Sequence, residues 1–178
     1  MLFFGHVGLT VGVVQAFNEL RNRRESSRLI DLRVAALVSL APDLIDKPIG
    51  ILFSEQVGKN TRLFGHSLLV ACILGIILWI WRRKVKHSLA YWFSYLGHFV
   101  LDRMWIKNLP ALFWPLLGFP PPEFIDIHTR VAMQLRMPYQ VIGEVVGFII
   151  LLIFFLQHKL YQRKRLNAFL RTGILESI

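Results

Sequence analysis

The sequence of 178 residues has few charged side chains and only one cysteine. Charged residues make up 18%, whereas about a quarter of a soluble protein is charged. Hydrophobic residues make up 54%, including 14 Phe and 5 Trp, and the mean hydropathy is +0.49. This apolar content excludes a disordered, a collagen-like or an ordinary soluble protein. The lone Cys72 excludes an internal disulfide and a CxxC pair.

Acidic residues are also scarce, since 11 Asp and Glu stand against 21 Lys and Arg, giving a net charge of +10 with histidine neutral. Such an excess is typical of proteins that bind nucleic acids or membrane surfaces. Here the basic residues cluster in short runs directly after apolar stretches. This distribution favours a lipid bilayer as the partner, and we expect no nucleic acid to bind.

The apolar stretches predict an all-α fold, a polytopic membrane helix bundle with about five transmembrane helices. A helix that crosses a bilayer needs about 20 residues. Five stretches are apolar enough or nearly so, at 2–20, 29–46, 63–81, 88–106 and 141–157. The second is the least apolar, because it contains Arg33 and ends in a proline and two aspartates. The first lacks the basic segment and cleavage site of a signal peptide, so we expect it to be retained.

The positions of the Lys and Arg residues predict the orientation of the bundle. Thirteen of the 21 fall on one side of the predicted spans and seven on the other, with Arg33 inside a span. The positive-inside rule places the richer side in the cytoplasm. We therefore expect a multi-pass protein of the cytoplasmic (inner) membrane, with its N-terminus outside and its C-terminus in the cytoplasm.

We expect residues 1–157 to form the transmembrane domain and residues 158–178 to form a basic cytoplasmic tail. Between the last two spans, the segment 107–140 is rich in proline and aromatic residues. Proline at this density breaks helices, and tryptophans such as Trp105 and Trp114 suit a membrane interface. The segment is predicted to lie along the outer surface as short pieces that cap what lies beneath.

Ionisable side chains are rare inside the spans, and each is a functional candidate because burying it in lipid is unfavourable. The predicted topology puts six of them, from four spans, within about three helical turns of the outer surface. They are His6, Asp43, Asp46, His66, His98 and Asp102. Because the orientation rests on Lys and Arg alone, this shared depth independently supports one common site.

The spacing of these residues suits a divalent metal ion. His98 and Asp102 are four residues apart and Asp43 and Asp46 three, so each pair shares one face of a helix. Small residues let membrane helices approach closely, and the three histidines directly follow Gly5, Gly65 and Gly97. Zinc accepts such nitrogen and oxygen ligands, and manganese is an alternative. Six candidates exceed a tetrahedral set, so either two ions bind or some residues orient ligands or act as general base.

Structural explanations stay open for individual residues. A single intramembrane histidine such as His6 often only bonds to a neighbouring helix. Asp46 can pair with Lys47 or Arg62, and Asp102 can pair with Arg103. Further candidates for the site are His128 and Asp126 on the outer connection and Glu144 in the last span, while His87 and His158 are expected to be solvated beside basic runs.

The same residues carry a resemblance to a known family. In order, the sequence has His6, SLAPDLID at 39–46, RLFGHS at 62–67 and GHFVLD at 97–102. This order resembles the bacterial inner-membrane-bound family of metal-dependent hydrolases, some of whose members are described as LexA-binding. The sequence departs from the family pattern at Gly65, where Thr is frequent, and at Thr61, where His is common. Over residues 6–102 the resemblance implies metal-site roles for His6, Asp43, Asp46, His66, His98 and Asp102.

The leading hypothesis is a metal-dependent hydrolase that cleaves an ester or phosphoester, small or lipid-linked, at the outer face of the membrane. One or two divalent ions would activate water, and Asp46 or Asp102 would take its proton. Arg62 precedes His66 by four residues, which predicts that it lies one helical turn away and binds a phosphate. Snorkelling of Arg62 to the membrane interface is the structural alternative.

Two other classes use similar residues. A non-enzymatic transporter or metal-binding scaffold would use the same layer of His and Asp, although the sequence shows no inverted repeat. A metal-free lipid phosphatase shares the G-H-S and His-xxx-Asp elements, but its Lys-x6-Arg-Pro motif is absent, and Tyr91 and Trp92 occupy its Ser-Arg positions. The H-E-x-x-H motif of an intramembrane zinc protease is absent as well.

Overall fold

The computed structural model describes residues 2–22, 29–53, 55–57, 60–82, 85–122 and 127–174. Within these ranges the chain forms nine α-helices and no strand, which confirms the predicted all-α class. The helices are α1 (Phe3–Asn22), α2 (Leu32–Leu52), α3 (Leu68–Arg82), α4 (Val85–Leu101), α5 (Met104–Lys107), α6 (Leu109–Leu112), α7 (Ile127–Leu135), α8 (Pro138–Gln157) and α9 (Arg163–Thr172).

Helices α1 to α4 run in alternating directions, so the bundle has two distinct ends. At one end, the Asn18 side chain of α1 bonds the backbone of Ile30 just before α2, at 2.9 and 3.0 Å. Nearby, the Ser88 hydroxyl of α4 donates to the Leu78 carbonyl of α3 at 3.1 Å. The opposite end gathers the starts of α1 and α3 and the ends of α2 and α4. We call it the site end, because all six predicted metal residues lie there.

Helix α4 forms the centre of the bundle and packs against α1, α2 and α3. Its buried stripe follows the helical period and consists of Tyr91, Tyr95, His98 and Asp102. The Tyr91 hydroxyl accepts a hydrogen bond from the Asp31 amide at 3.2 Å, and the Tyr95 hydroxyl donates to a carbonyl of the turn before α3. The stripe therefore changes from aromatic to ionisable as it reaches the site end.

Glycines let helices α1 and α8 approach so closely that their backbones touch. A Cβ atom on Gly8 would lie 2.1 Å from the Gly147 carbonyl oxygen, which is the role that small residues have in membrane helix pairs. Of the glycines predicted to help the histidines converge, Gly65 packs this way, since its Cβ would meet the Pro42 carbonyl oxygen at 2.8 Å. For Gly97 the prediction is wrong, because a Cβ there meets nothing within 4 Å.

By length and composition, one helix of the described ranges can cross a membrane. It is Pro138–Gln157, and only 11% of its most apolar stretch is buried. Helices α3 and α4 have 15 and 17 residues, fewer than the roughly 20 that a bilayer needs. Prolines and charged residues lower the hydropathy of α2. The five predicted spans are therefore not confirmed on this criterion.

All five predicted spans differ in their bounds from the observed helices, and α2 continues to Leu52 beyond the predicted end at residue 46. Two of the differences change the setting of site residues. Helix α3 begins at Leu68 and not at residue 63, so His66 lies in a turn before the helix. Helix α4 ends at Leu101 and not at residue 106, because Arg103 adopts a left-handed backbone conformation with φ of 52°. Asp102 nevertheless continues the helical direction, since its amide donates to the His98 carbonyl at 2.9 Å.

The connection 107–140 contains the short helices α6 and α7 and packs against the turn before α3. The Asn60 side chain donates to the Pro121 carbonyl at 3.1 Å, and the ring centroids of Phe64 and Trp114 are 5.0 Å apart.

At the opposite end of the bundle, the segment after α9 contacts the start of α2, where the Leu32 amide donates to the carbonyl of residue 173 at 2.8 Å.

Candidate metal centre

Asp46 fixes the turn that carries His66. Its carboxylate is fully buried and accepts hydrogen bonds from the amides of Leu63, Gly65 and His66 at 2.6, 2.8 and 3.1 Å. It also contacts His66 Nδ1 at 2.7 Å. Because an ionised carboxylate only accepts hydrogen bonds, His66 Nδ1 carries the proton. In the neutral ring, His66 Nε2 is therefore left with a lone pair.

His98 of α4 is oriented in the same way by helix α2. Its Nδ1 lies 2.8 Å from the Ser39 carbonyl oxygen, which can only accept, so this nitrogen also carries the proton. His98 is fully buried, so no solvent competes for the ring. A ring N–H bonded to a carboxylate or a backbone carbonyl is the usual arrangement in metal-binding histidines.

The remaining nitrogens of these two histidines face each other. His66 Nε2 and His98 Nε2 are 3.2 Å apart, and in the neutral rings neither can donate to the other. A shared cation removes this conflict. Two nitrogens that bind one tetrahedral zinc ion at about 2.0–2.1 Å are about 3.3 Å apart, close to the observed separation. The donor pair therefore fits a divalent metal ion.

Asp43 adds a carboxylate to this pair. Its Oδ1 lies 3.7 Å from His66 Nε2 and 3.9 Å from His98 Nε2, while its Oδ2 bonds Lys47 Nζ at 2.6 Å. Two imidazoles and one carboxylate are the ligand set of several zinc and iron enzymes. The Asp43 side chain is 14% exposed and both histidine side chains are fully buried, so Asp43 is the exposed member of this group.

His6 and Asp102 extend the cluster. The His6 ring stacks on His98 with centroids 3.9 Å apart and an angle of 11° between the planes. Its Nε2 lies 3.3 Å from Asp102 Oδ1, but neither ring nitrogen makes a hydrogen bond within the described part of the chain. Fully buried ring nitrogens without a hydrogen bond are unusual, and they suit a ligand such as a metal ion.

Arg62 reaches the cluster through Asp102. Its Nε and Nη2 donate to Asp102 Oδ2 at 3.3 and 3.0 Å, and its amide donates to Asn60 Oδ1 at 2.8 Å. The predicted helical turn between Arg62 and His66 is wrong, because residues 60–67 form turns. The arginine still places a positive charge beside the carboxylate at the edge of the site.

Two groups of three side chains in the described ranges have ligand atoms within 4.8 Å of one another and can hold a metal ion. They share one histidine, and they consist of His6, Asp43 and His98 and of His66, His98 and Asp102. Five of the six predicted ligands therefore converge. Asp46 belongs to neither group, since its oxygens are occupied by the turn before α3.

The other candidates lie elsewhere. His128 is exposed on α7 and belongs to neither group, and Asp126 lies outside the described residues. His158, predicted to be solvated, is half-buried. Its burial, together with the nearby Arg165, lowers its pKa, although Glu19 acts in the opposite direction.

Sequence reasoning missed the roles of two residues. Ser39 orients His98 through its backbone carbonyl, which leaves no sequence signal because every residue has one. The sequence offers Glu144 as a weak ligand or base, but its carboxylate accepts hydrogen bonds from the Leu2 and Phe4 amides at 2.7 and 2.9 Å. Glu144 therefore caps the start of α1. The sequence signal for this role is that Glu144 is predicted near the outer surface, at the same level as the N-terminus of the first span. A carboxylate beside a helix N-terminus is stabilising.

Comparison with known proteins identifies the family. No curated protein and no solved structure matches the chain. The family model described as YdjM inner membrane protein matches residues 1–170. This description supports the bacterial inner-membrane part of the resemblance and an association with the lipid bilayer, and it names neither a hydrolase activity nor LexA binding. Because the match covers nearly the whole sequence, the chain belongs to the YdjM inner membrane protein family.

Proposed function

We propose that the chain is a membrane-embedded metal-dependent hydrolase that cleaves an ester or phosphoester at the outer face of the cytoplasmic membrane. The observation that carries this proposal is the 3.2 Å separation of His66 Nε2 and His98 Nε2. Each ring has its other nitrogen bonded to an acceptor, so both lone pairs face one point. Without a metal ion, the lone pairs of these two buried nitrogens would face each other with no donor between them.

The proposed ligands are His66, His98 and Asp43, one residue set drawn from both groups, whose facing atoms lie 3.2, 3.7 and 3.9 Å apart. His6 is the further ligand, to the same ion or to a second one, and the measured stoichiometry distinguishes these two cases. A bound divalent ion, zinc or manganese, would supply the chemistry by lowering the pKa of a coordinated water, to about 7 for zinc, and by polarising the scissile bond. Asp46 orients His66 and does not bind the ion.

Asp102 is the proposed proton acceptor. Asp46 is unsuited to that role because both of its oxygens accept hydrogen bonds from the turn before α3. Asp102 has Oδ2 fixed by Arg62, while Oδ1 points toward His6 at 3.3 Å. Arg62 thereby orients the base and provides the positive charge that would attract a phosphate oxygen.

The bundle is proposed to cross the membrane five times, through α1, α2, α3, α4 and α8. Large apolar side chains are exposed along each of these helices, among them Phe17, Leu37, Ile76, Phe93 and Phe148. Exposed apolar surfaces of this extent mark contact with lipid or a partner. The N-terminus and the metal centre are proposed to face outward, with the 158–178 tail in the cytoplasm.

The test measures metal content and hydrolysis on the same preparation. Wild type purified in detergent without chelators is expected to retain one or two divalent ions per chain by mass spectrometry, and to hydrolyse bis(4-nitrophenyl) phosphate or 4-nitrophenyl acetate until a chelator removes the metal. His66→Ala and Asp43→Ala are expected to lose the metal, while the exposed control His128→Ala keeps it. Asp102→Asn is expected to retain metal and lose about 100-fold in kcat, as for a general base.

Two outcomes overturn the proposal. Wild type without stoichiometric metal would remove the metal centre. Full metal content without hydrolysis of either ester, combined with gradient-driven metal uptake in proteoliposomes, would favour the transporter that uses the same side chains.

A further inference from the structure

A long apolar groove lies between α1 and α4, with a volume of about 780 Å³. Its walls include Leu9, Val13 and Phe17 of α1 and Leu89, Phe93 and Val100 of α4. The groove is partly open to the outside, on the surface that is proposed to face lipid. Its lining is almost entirely hydrocarbon, so a polar molecule gains nothing by entering it.

One end of the groove adjoins the metal centre. Thr10 lines it and lies one helical turn after His6, on the same face of α1. Gly97 and Leu101 line it from α4, and they directly precede His98 and Asp102. The groove therefore ends beside the cluster of ionisable side chains on both helices, within reach of a single molecule that has a polar head and an apolar body.

The length of the groove corresponds to one leaflet of a bilayer. Its α4 wall extends from Leu89 to Leu101, which is about 18 Å at 1.5 Å per residue. One leaflet contributes about 15 Å of hydrocarbon, half of the usual core thickness. The far end, near Phe17 and Leu89, thus lies at about the depth where the tail of an outer-leaflet lipid ends.

We propose that this groove binds the hydrocarbon tail of a lipid substrate whose head group lies at the metal centre. The inference rests on the proposed hydrolase function and names its substrate class, a lipid of the outer leaflet with an ester or phosphoester in its head group. Gly97 keeps the upper part of the groove open, because a side chain there would extend into empty space.

The test is photocrosslinking in proteoliposomes, with a phosphatidic acid that carries a diazirine at the end of one acyl chain. Wild type is expected to be labelled at the far end of the groove, on Phe17, Leu89 or Phe93. Gly97→Leu is expected to reduce this labelling about tenfold, the effect of displacing two buried methylene groups. Cys72→Leu places the same leucine side chain on the exposed face of α3 and is expected to leave labelling unchanged.

Val13→Trp, on the opposite wall, is a second variant and is expected to act like Gly97→Leu. Metal content is measured on every sample, so loss of the proposed function is seen separately from loss of tail binding. Labelling spread evenly over α3 and α8, or unaffected by both groove variants, would overturn the proposal even if metal is bound. A groove without label would also overturn it, because another occupant, such as a helix of a second chain, would then exclude the lipid.

Discussion

At the scale of single residues, Asp46 determines where His66 points. Its carboxylate accepts hydrogen bonds from three backbone amides of the turn and contacts the histidine ring. The turn is thus built around one buried anion, and the anion selects the His66 tautomer. Partners of this kind raise metal affinity without touching the metal.

We predict that Asp46→Asn weakens metal binding about 10- to 100-fold, the usual effect of losing such a partner. The amide keeps one acceptor oxygen but presents N–H groups to donors of the turn, so His66 is less well oriented. Competition titration against a chelator measures the affinity, and the site is expected to fill at saturating metal. Asp43→Asn is the comparison, because loss of a direct ligand lowers the stoichiometry itself. Wild-type affinity in Asp46→Asn would contradict the assignment.

Two glycines next to histidines are predicted to respond oppositely to alanine. Gly65→Ala places a methyl group 2.8 Å from the Pro42 carbonyl oxygen, and such overpacking costs about 1–3 kcal/mol of stability. Gly97→Ala meets nothing within 4 Å, and alanine is favoured over glycine inside a helix by up to about 1 kcal/mol. Thermal unfolding in one detergent measures both variants. A lower Tm for Gly97→Ala than for Gly65→Ala would contradict the tight packing at Gly65 and the open space at Gly97.

At the scale of elements, helix α1 depends on helix α8 for its position. The two backbones touch at Gly8 and Gly147, and Glu144 accepts hydrogen bonds from the first amides of α1. These groups have no partner within their own helix. The cap lies less than one turn before His6, so α8 helps to orient a proposed ligand although it contributes none.

We predict that Glu144→Ala loosens the start of α1. Loss of a capping side chain costs about 1 kcal/mol, and the amides of the first turn are expected to exchange faster with deuterium. Glu19→Ala is the matched control on α1, since Glu19 is exposed and accepts a hydrogen bond from Gln15, four residues earlier, far from the first turn. Hydrogen exchange followed by mass spectrometry compares the two. Equal protection of the first turn in both variants would exclude the capping role.

The position of the six site residues at one end of the bundle could be predicted from the sequence, because helices of alternating direction bring the start of one span next to the end of another. The contacts within the site could not. The sequence places His66 inside a helix, whereas it lies in a turn whose shape depends on Asp46, 20 residues earlier. The distant pairs Arg62–Asp102 and Glu144–Phe4 follow from packing, and periodicity along one helix carries no signal for them.

At the scale of the whole molecule, the fold combines an apolar exterior with an ionisable interior at one end. Five fully or nearly fully buried ionisable side chains lie at the site end: His6, Asp46, His66, His98 and Asp102. Large apolar side chains are exposed around the same helices. This inverts the usual arrangement of a soluble protein, in which charged side chains cover the surface and apolar side chains fill the interior.

We predict that the connection before α7 faces outward and the tail faces the cytoplasm. Leu116→Cys and Lys164→Cys, each in a Cys72→Ser background, introduce thiols at exposed positions. A membrane-impermeant maleimide is expected to label the first variant in intact spheroplasts and the second only after permeabilisation. The reverse pattern would invert the orientation, and labelling of both variants in intact spheroplasts would contradict an odd number of spans between them.

X-ray absorption at the edge of the copurified metal reports directly on the ligands of the proposed centre. We expect nitrogen and oxygen ligands at about 2.0–2.1 Å with the scattering signature of at least two imidazoles, one of which disappears in His98→Ala. A protein that binds no metal, or a metal whose spectrum contains no imidazole, would contradict the claim that His66 and His98 share one ion.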